Sequence, residues 1–162
     1  MKKGRLKLHF HLLLAIVFSM SLAAISEGDD AIYFSKIGLE DGLAQVTVYA
    51  ILQDDAGFIY FATEGGLNRY DGIKIQVFQK SASGLNQVSE NSITALHKDQ
   101  KGKIWIGTKK GFLDLHDPIS GSFTHIPLID PDRHVQNRNE IRVISVHPDN
   151  PEFLWIGTDG GG

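Results

Sequence analysis

Apolar positions in this chain come in short runs broken by Asp, Asn and Gly. Val46 to Leu52, Phe58 to Ala62, Leu67 to Tyr70 and Ile73 to Phe78 are rich in β-branched and aromatic residues, and Ile73, Ile75 and Val77 alternate with polar neighbours. This composition, with a period of two, fits short strands. The segments between them, Gln53 to Gly57, Glu64 to Gly66 and the pair Asp71 and Gly72, carry the Asp and Gly residues of tight turns. Four short antiparallel strands are therefore predicted. The same succession returns as Ile93 to His97, Lys103 to Gly107, Phe112 to His116 and Ser122 to Ile126, and begins again as Ile141 to His147 and Phe153 to Gly157. Ala31 to Lys36 reads as a further short strand and Gly38 to Gly42 as a loop. All five prolines fall in predicted turns or connections, as pairing through backbone N–H groups requires. No segment beyond the amino-terminal region sustains a helical apolar period, so the fold class is all-β.

The predicted strands are copies of one unit. Gly57-Phe-Ile-Tyr-Phe-Ala-Thr63 returns as Gly102-Lys-Ile-Trp-Ile-Gly-Thr108 and as Phe153-Leu-Trp-Ile-Gly-Thr158, with the aromatic anchors Tyr60, Trp105 and Trp155 spaced 45 and 50 residues apart. Asp54, Asp99 and Asp149 stand six residues before each anchor, and Thr63, Thr108 and Thr158 three after it. Upstream, Ala50-Ile51, Ala95-Leu96 and Ser145-Val146 superpose at the same offsets. Downstream, Gly66-Leu67 aligns with Gly111-Phe112 and Tyr70 with Leu115, before an insertion at Asp117 to Ser120. Four short strands at such a period are the signature of a β-propeller blade. A blade cannot bury both faces alone, so the anchors are expected to pack between neighbouring blades. The small residues Ala62, Gly107 and Gly157 leave room for a close approach. The blade repeats fall at about 43–78, 91–126 and 141–162, giving a partial β-propeller of about two and a half four-stranded antiparallel blades over residues 27–162.

Composition changes this picture only at the amino end. Lys2, Lys3, Arg5 and Lys7 precede an uncharged, mostly apolar run from Leu12 to Ile25, which contains the small-x-small pattern Ser21-Leu22-Ala23. This is the pattern of a secretory signal peptide over residues 1–26, with cleavage near Ala23 or Ser26. A spanning helix needs about 20 apolar residues, more than this run supplies. No cysteine follows the run to carry a lipid, and none occurs anywhere to form a disulfide, so an exported chain must rely on its core. Without the leader, 12 basic residues face 19 acidic ones, a formal charge of −7. An acidic chain is a poor match for phosphate backbones, and no nucleic-acid partner is expected.

Asp54, Asp99 and Asp149 are candidate calcium ligands or acids. Their place at the start of tight turns, however, lets each carboxylate accept backbone N–H bonds, and the three threonines read similarly as hydroxyls bonding to backbone. His97, His116, His125, His134 and His147 show none of the close pairings of a zinc site and are expected at the surface or at strand ends. There is no Gly-x-Ser-x-Gly, and Gly160 to Gly162 lacks the lysine and the helix of a phosphate-cradling loop. No catalytic, metal-binding or cofactor-binding residue is assigned, and no cofactor is expected. Residues outside the shared pattern, such as Arg69, Tyr70, Arg133, His134 and Arg138, are the better candidates for ligand contact.

Asp41-Gly-Leu43 and Val48 to Asp54, followed by Gly57-Phe-Ile-Tyr-Phe-Ala-Thr63-Glu-Gly-Gly-Leu-Asn-Arg-Tyr-Asp-Gly72, resemble the two-component regulator propeller repeat. That repeat is found in periplasmic sensors of hybrid histidine kinase systems, chiefly of Bacteroidetes, and the resemblance covers essentially everything after residue 31. It implies a parent protein in which many blades close into propellers that sense oligosaccharides, followed by an immunoglobulin-like domain, a membrane helix and a kinase core. None of the kinase motifs is present here. The implied function is thus a non-catalytic, ligand-sensing amino-terminal fragment of such a sensor, exported to the periplasm, with the parent anchored in the inner membrane. The implied partners are an oligosaccharide bound by the complete propeller, the remaining blades of the parent and a second parent subunit. The alternatives are an exported propeller lyase or glycoside hydrolase, the latter needing a pair of positioned carboxylates, or a protein-interaction propeller. Asp55, Gly57, Ile59 and Tyr60 also resemble part of the Asp-box of sialidases, itself a structural turn, and Gln100 replaces its Asp in the second unit.

Overall fold

The computed structural model describes residues 32–82, 86–126, 139–147 and 149–159. The chain divides into two compact units, Met1–Ser35 and Lys36–Gly162. In the first, the predicted signal peptide lies outside the described residues, and Ile32 to Ser35 form no strand, with Tyr33 and Phe34 each 90% exposed. The strand predicted at Ala31 to Lys36 is therefore absent over 32–36. A β-rich composition makes no ladder unless another strand takes up its backbone groups, and among the described residues none does.

Among its described residues the second unit is all-β apart from a short 3-10 turn at Leu39–Asp41. Strands β1 (Val48–Gln53), β2 (Ile59–Thr63), β3 (Gly66–Tyr70) and β4 (Ile75–Phe78) form one antiparallel sheet in chain order. Strands β5 (Ile93–Lys98), β6 (Ile104–Thr108), β7 (Leu113–Asp117) and β8 (Ser122–Ile126) form a second. Strands β9 (Ile141–His147) and β10 (Asn150–Thr158) pair as a third. These are successive propeller blades, and the first strands β1, β5 and β9 lie side by side.

Residues directly opposite across a ladder share a face, and the register therefore sorts the side chains. In sheet one, Leu52 and Tyr60 share a face with Ala50, Ala62, Leu67 and Phe78. This trailing face packs on Ile93, Ile104 and Ile106 of the second sheet. The trailing face of sheet two carries Ala95, Trp105, Leu113 and Ile126, and packs on Ile141, Ile144, Leu154 and Ile156 of sheet three. The core thus lies between blades. A Cβ added at Gly107 would lie 2.5 Å from Ile141 Cγ2, so the glycine admits the close approach of β9.

Three alignments read from the sequence are corrected by the register. Ala62 pairs with Leu67, but Gly107 pairs with Leu113, so the second unit carries one extra residue in the turn before its third strand. Tyr70 consequently corresponds to His116 rather than Leu115, and Asn68 to Asp114. In the third unit Trp155 faces Ser145, whereas Tyr60 and Trp105 face Leu52 and His97, a slip of two residues absorbed by a bulge between Asn150 and Leu154. Pro151 lies inside β10, not in a turn. It sits in that bulge, where no ladder bond asks for its missing N–H.

Candidate functional site

The repeated aspartates are turn formers in the first two blades. Asp54 Oδ1 accepts the N–H groups of Ala56 and Phe58 at 3.0 and 2.9 Å, and Asp99 Oδ1 those of Lys101 and Lys103 at 2.9 and 3.0 Å. Asp149 departs from this reading: the residue two beyond it is Pro151, which has no N–H to donate, and Asn150 Oδ1 instead accepts from Glu152 at 3.2 Å. Thr63 and Thr108 hold their turns as expected, with Thr63 Oγ1 donating to Gly66 O at 3.0 Å and Thr108 Oγ1 accepting from Phe112 N at 2.8 Å.

A second pair of equivalent residues, missed in the sequence, ties each blade to the segment that leads into it. Buried Asn68 accepts from Ala44 N at 2.9 Å, and buried Asp114 accepts from Ser89 N at 2.7 Å. The one-residue slip of the third strand hid this correspondence. Around Asp114 the structure also assembles Ser89 and His125, whose Nδ1 lies 2.7 Å from Asp114 Oδ1 and 2.8 Å from Ser89 Oγ. Both contacts use the same ring nitrogen. An imidazole that relays a proton must bridge serine and carboxylate through its two nitrogens, so this trio fastens a strand.

Between the first two blades, His116 stands near the end of β7, one of the two placements expected, but is buried rather than at the surface. It stacks on Phe123 with centroids 4.2 Å apart and meets Tyr60 edge-on at 5.9 Å, and its Nδ1–H donates to Ser122 O at 3.1 Å. Burial holds its pKa below the ordinary histidine value, partly opposed by the Ser122 bond. Burial, reinforced by the Asp54 carboxylate, pushes the Tyr60 phenol up to about 12. Among the described residues Tyr60 Oη, His116 Nε2 and Asp54 Oδ2 have no partner of good hydrogen-bond geometry.

The first strand of every blade is bulged at the same place. The ladder skips Tyr49 between Val48 and Ala50, Thr94 between Ile93 and Ala95, and Arg142 between Ile141 and Val143. A bulge leaves its residue outside the ladder and re-aims the side chain. Here one structural position, on three adjacent first strands, carries three different polar groups. Tyr49 Oη donates to Glu64 Oε1 at 2.9 Å, and Lys109 Nζ, from the next blade, donates to the same oxygen at 2.8 Å. The Lys109 ammonium first, and the Tyr49 hydroxyl second, hold the Glu64 carboxyl below its usual range, and the bond to Glu64 raises the Tyr49 phenol. Arg142 spans Asp159 at 2.9 Å and Glu140 at 3.2 Å, and Thr94 Oγ1 donates to Ile141 O at 2.6 Å. Tyr49, Glu64, Lys109 and Arg142 thus form an exposed surface of hydroxyl, carboxylate and cation that can donate to and accept from a polar ligand, whereas Thr94 is buried. None of these residues was a sequence candidate, because bulge position is set by pairing.

The candidates from the sequence lie elsewhere. The Arg69 guanidinium sits 4.6 Å over the Phe58 ring, and Tyr70 Oη donates to Gly72 O at 2.7 Å, so both serve the first blade. Arg133, His134 and Arg138 lie outside the described residues. A separate open cleft of about 740 Å³ runs between the second and third sheets, with Trp105, Leu113, Phe153 and Leu154 as apolar lining and Asp99, Lys101 and Glu152 as polar lining. Among the described residues no group of three or more His, Asp or Glu could hold a metal ion, and no helix is long and apolar enough to cross a membrane.

Comparison with known proteins places this architecture. The profile of the two component regulator propeller family matches residues 42–65 and 87–110. No curated protein sequence matches the chain. Among solved structures, the extracellular domain assigned to the hybrid two component system BT3049 of B. thetaiotaomicron matches with a TM-score of 0.66 and 26% identity over 75% of this chain. Two structures of the extracellular domain of BT4673 from the same organism, assigned in one to a one component system and in the other to a hybrid two component system, match at 25% identity over 75% of this chain, with TM-scores of 0.58 and 0.57. The chain spans 15 to 17% of the length of these domains. With the blades stacked through the anchors Tyr60 and Trp105 and the profile matched around both of them, two blades of this chain are similar to the two component regulator propeller repeat.

Proposed function

We propose that the chain is part of the extracellular sensing propeller of a two-component system, that it acts by binding rather than by catalysis, and that its ligand is a neutral oligosaccharide. The observation that carries the sensor reading is the blade repeat, matched both in sequence and in the fold of extracellular domains assigned to such systems. The ligand class rests on the exposed bulge residues Tyr49 and Arg142 with Glu64 and Lys109, a mixed set of donors and acceptors suited to many hydroxyl groups. The acidic balance of the chain argues against a polyanion. Binding to the propeller would shift the population of sensor arrangements and so the output across the membrane. The leader at residues 1–26 would deliver this part of the sensor to the periplasm.

The test is calorimetric titration of the protein that bears these blades with neutral and with acidic oligosaccharides, alongside chromatography of the mixtures for cleavage products. Saturable binding of a neutral oligosaccharide, weakened at least tenfold by Arg142→Ala or Tyr49→Phe and without turnover, is expected. Binding unaffected by either substitution removes the bulge surface from the site, and release of shortened sugar overturns the non-catalytic reading.

A further inference from the structure

We propose that Tyr49 is a stacking platform for the ligand, and that it selects oligosaccharides of pyranose rings with equatorial hydroxyls, which present flat faces of C–H bonds. The inference rests on the neutral-oligosaccharide reading above and narrows it. Tyr49 is 43% exposed although its hydroxyl is engaged by Glu64, so the open area includes its ring. The repeated anchors of the first two blades serve the core instead, Tyr60 fully buried and Trp105 packed between sheets two and three. Tyr49 escapes that role because the bulge lifts it out of the ladder. Its exposure is not that of a face awaiting another blade. The Glu64 oxygen that binds its hydroxyl also binds Lys109 of the following blade, so the ring stands at a junction whose two blades are both present.

Two properties suit this ring to a sugar. The first is that it is held in place. The phenol donates to Glu64 at 2.9 Å and Glu64 is held in turn by Lys109 at 2.8 Å, so little ordering remains to be done at binding. The second is its polar surroundings. The phenol, raised chiefly by its bond to Glu64, also feels the charge of Glu140 at the start of the third blade, and Arg142 lies within the same electrostatic range. An aromatic face is negative and its edge positive. The C–H bonds of a pyranose, made slightly positive by the neighbouring oxygens, therefore fit that face when the hydroxyls are equatorial and point sideways. Those hydroxyls are then directed toward Glu64, Lys109 and Arg142. A furanose or an open-chain polyol offers the hydroxyls without the flat face.

The experiment is calorimetric titration and proton NMR of the protein that bears these blades, with neutral tetrasaccharides of β-linked glucose, β-linked xylose and fructofuranose as probes. The pyranose probes are expected to bind about tenfold more tightly than the furanose, the usual worth of one aromatic stack. The ring protons of the bound pyranose are expected to shift upfield, as protons over an aromatic face do. Tyr49→Leu keeps an apolar side chain but no π-face. It is expected to weaken the pyranose probes about tenfold beyond Tyr49→Phe, and to abolish the upfield shift that Tyr49→Phe retains. Because Tyr49 is exposed, both variants are expected to unfold at the wild-type urea midpoint, so that lost binding reports on the site and not on the fold. Preference for the furanose, equal losses in the two variants, or an upfield shift that survives in Tyr49→Leu overturns the stacking role and leaves the neutral-oligosaccharide reading standing. The same holds if other neutral sugars bind and neither pyranose probe does. Binding of no neutral oligosaccharide at all overturns both.

Discussion

Trp105 donates its indole N–H to Asp99 Oδ2 at 3.2 Å, six residues upstream, while the other oxygen of the same carboxylate closes the turn. One aspartate therefore serves as turn cap and as partner for the polar end of a large aromatic. In the first blade Asp54 and Tyr60 hold the same positions, but the phenol oxygen gains no well-formed bond. Removing the donor should thus separate the blades: Trp105→Phe is expected to cost about 2 kcal/mol, as for a hydrogen bond to a charged group. Tyr60→Phe is expected to be neutral or slightly stabilising, because it removes an unsatisfied buried hydroxyl. Urea unfolding of the two variants checks this.

The turn aspartates should also differ among themselves. Asp99→Ala loses three accepted bonds and is expected to destabilise by about 2 kcal/mol, in the range for hydrogen bonds to a charged group. Asp149→Ala, where Pro151 withholds the N–H, should stay within about 0.5 kcal/mol, as exposed substitutions do. The same unfolding series compares them, and equal losses at both sites would refute the account of Pro151.

Gly107 lies under β9, and a methyl group there would meet Ile141. Gly107→Ala is expected to cost about 1 to 3 kcal/mol through overpacking. Ile141→Ala should recover part of that loss, so that a double-mutant cycle shows coupling. Additive losses would mean that the two residues do not press on each other.

Burial lowers the His116 pKa below the ordinary value of 6.5. In the window between the two values the unfolded chain binds more protons, so stability falls as pH drops below 6.5 through the lowered value and is retained above it. His116→Phe, which keeps the stack on Phe123, should remove this slope. Unfolding midpoints between roughly pH 7.5 and 5 provide the readout.

Asp114 fastens Ser89 and with it the strand-entry segment. Asp114→Ala is expected to leave a backbone donor unpaired and cost about 2 kcal/mol. Hydrogen exchange at the Ser89 amide should accelerate in step, while exchange at the equivalent Ala44 amide, held by Asn68, should not change.

The sequence by itself determined the local structure. Strand positions, turn chemistry and the repeat are legible because a period of two, an Asp-x-x-Gly turn and a recurring Gly-Thr strand end are local constraints. The caps at Asp54, Asp99, Thr63 and Thr108 were legible for the same reason, as their partners lie within four residues. Tertiary structure decided everything that depends on a neighbour. Tyr60, Trp105 and Trp155 occupy equivalent sequence positions, yet the first is fully buried, the second half-buried and the third 62% exposed, because the residues that cover an anchor belong to the following blade. The slips that equate Asn68 with Asp114 and set Trp155 opposite Ser145 arise from turn length and pairing. The bulges at Tyr49, Thr94 and Arg142 arise where one strand carries an extra residue against its partner, which no single strand records.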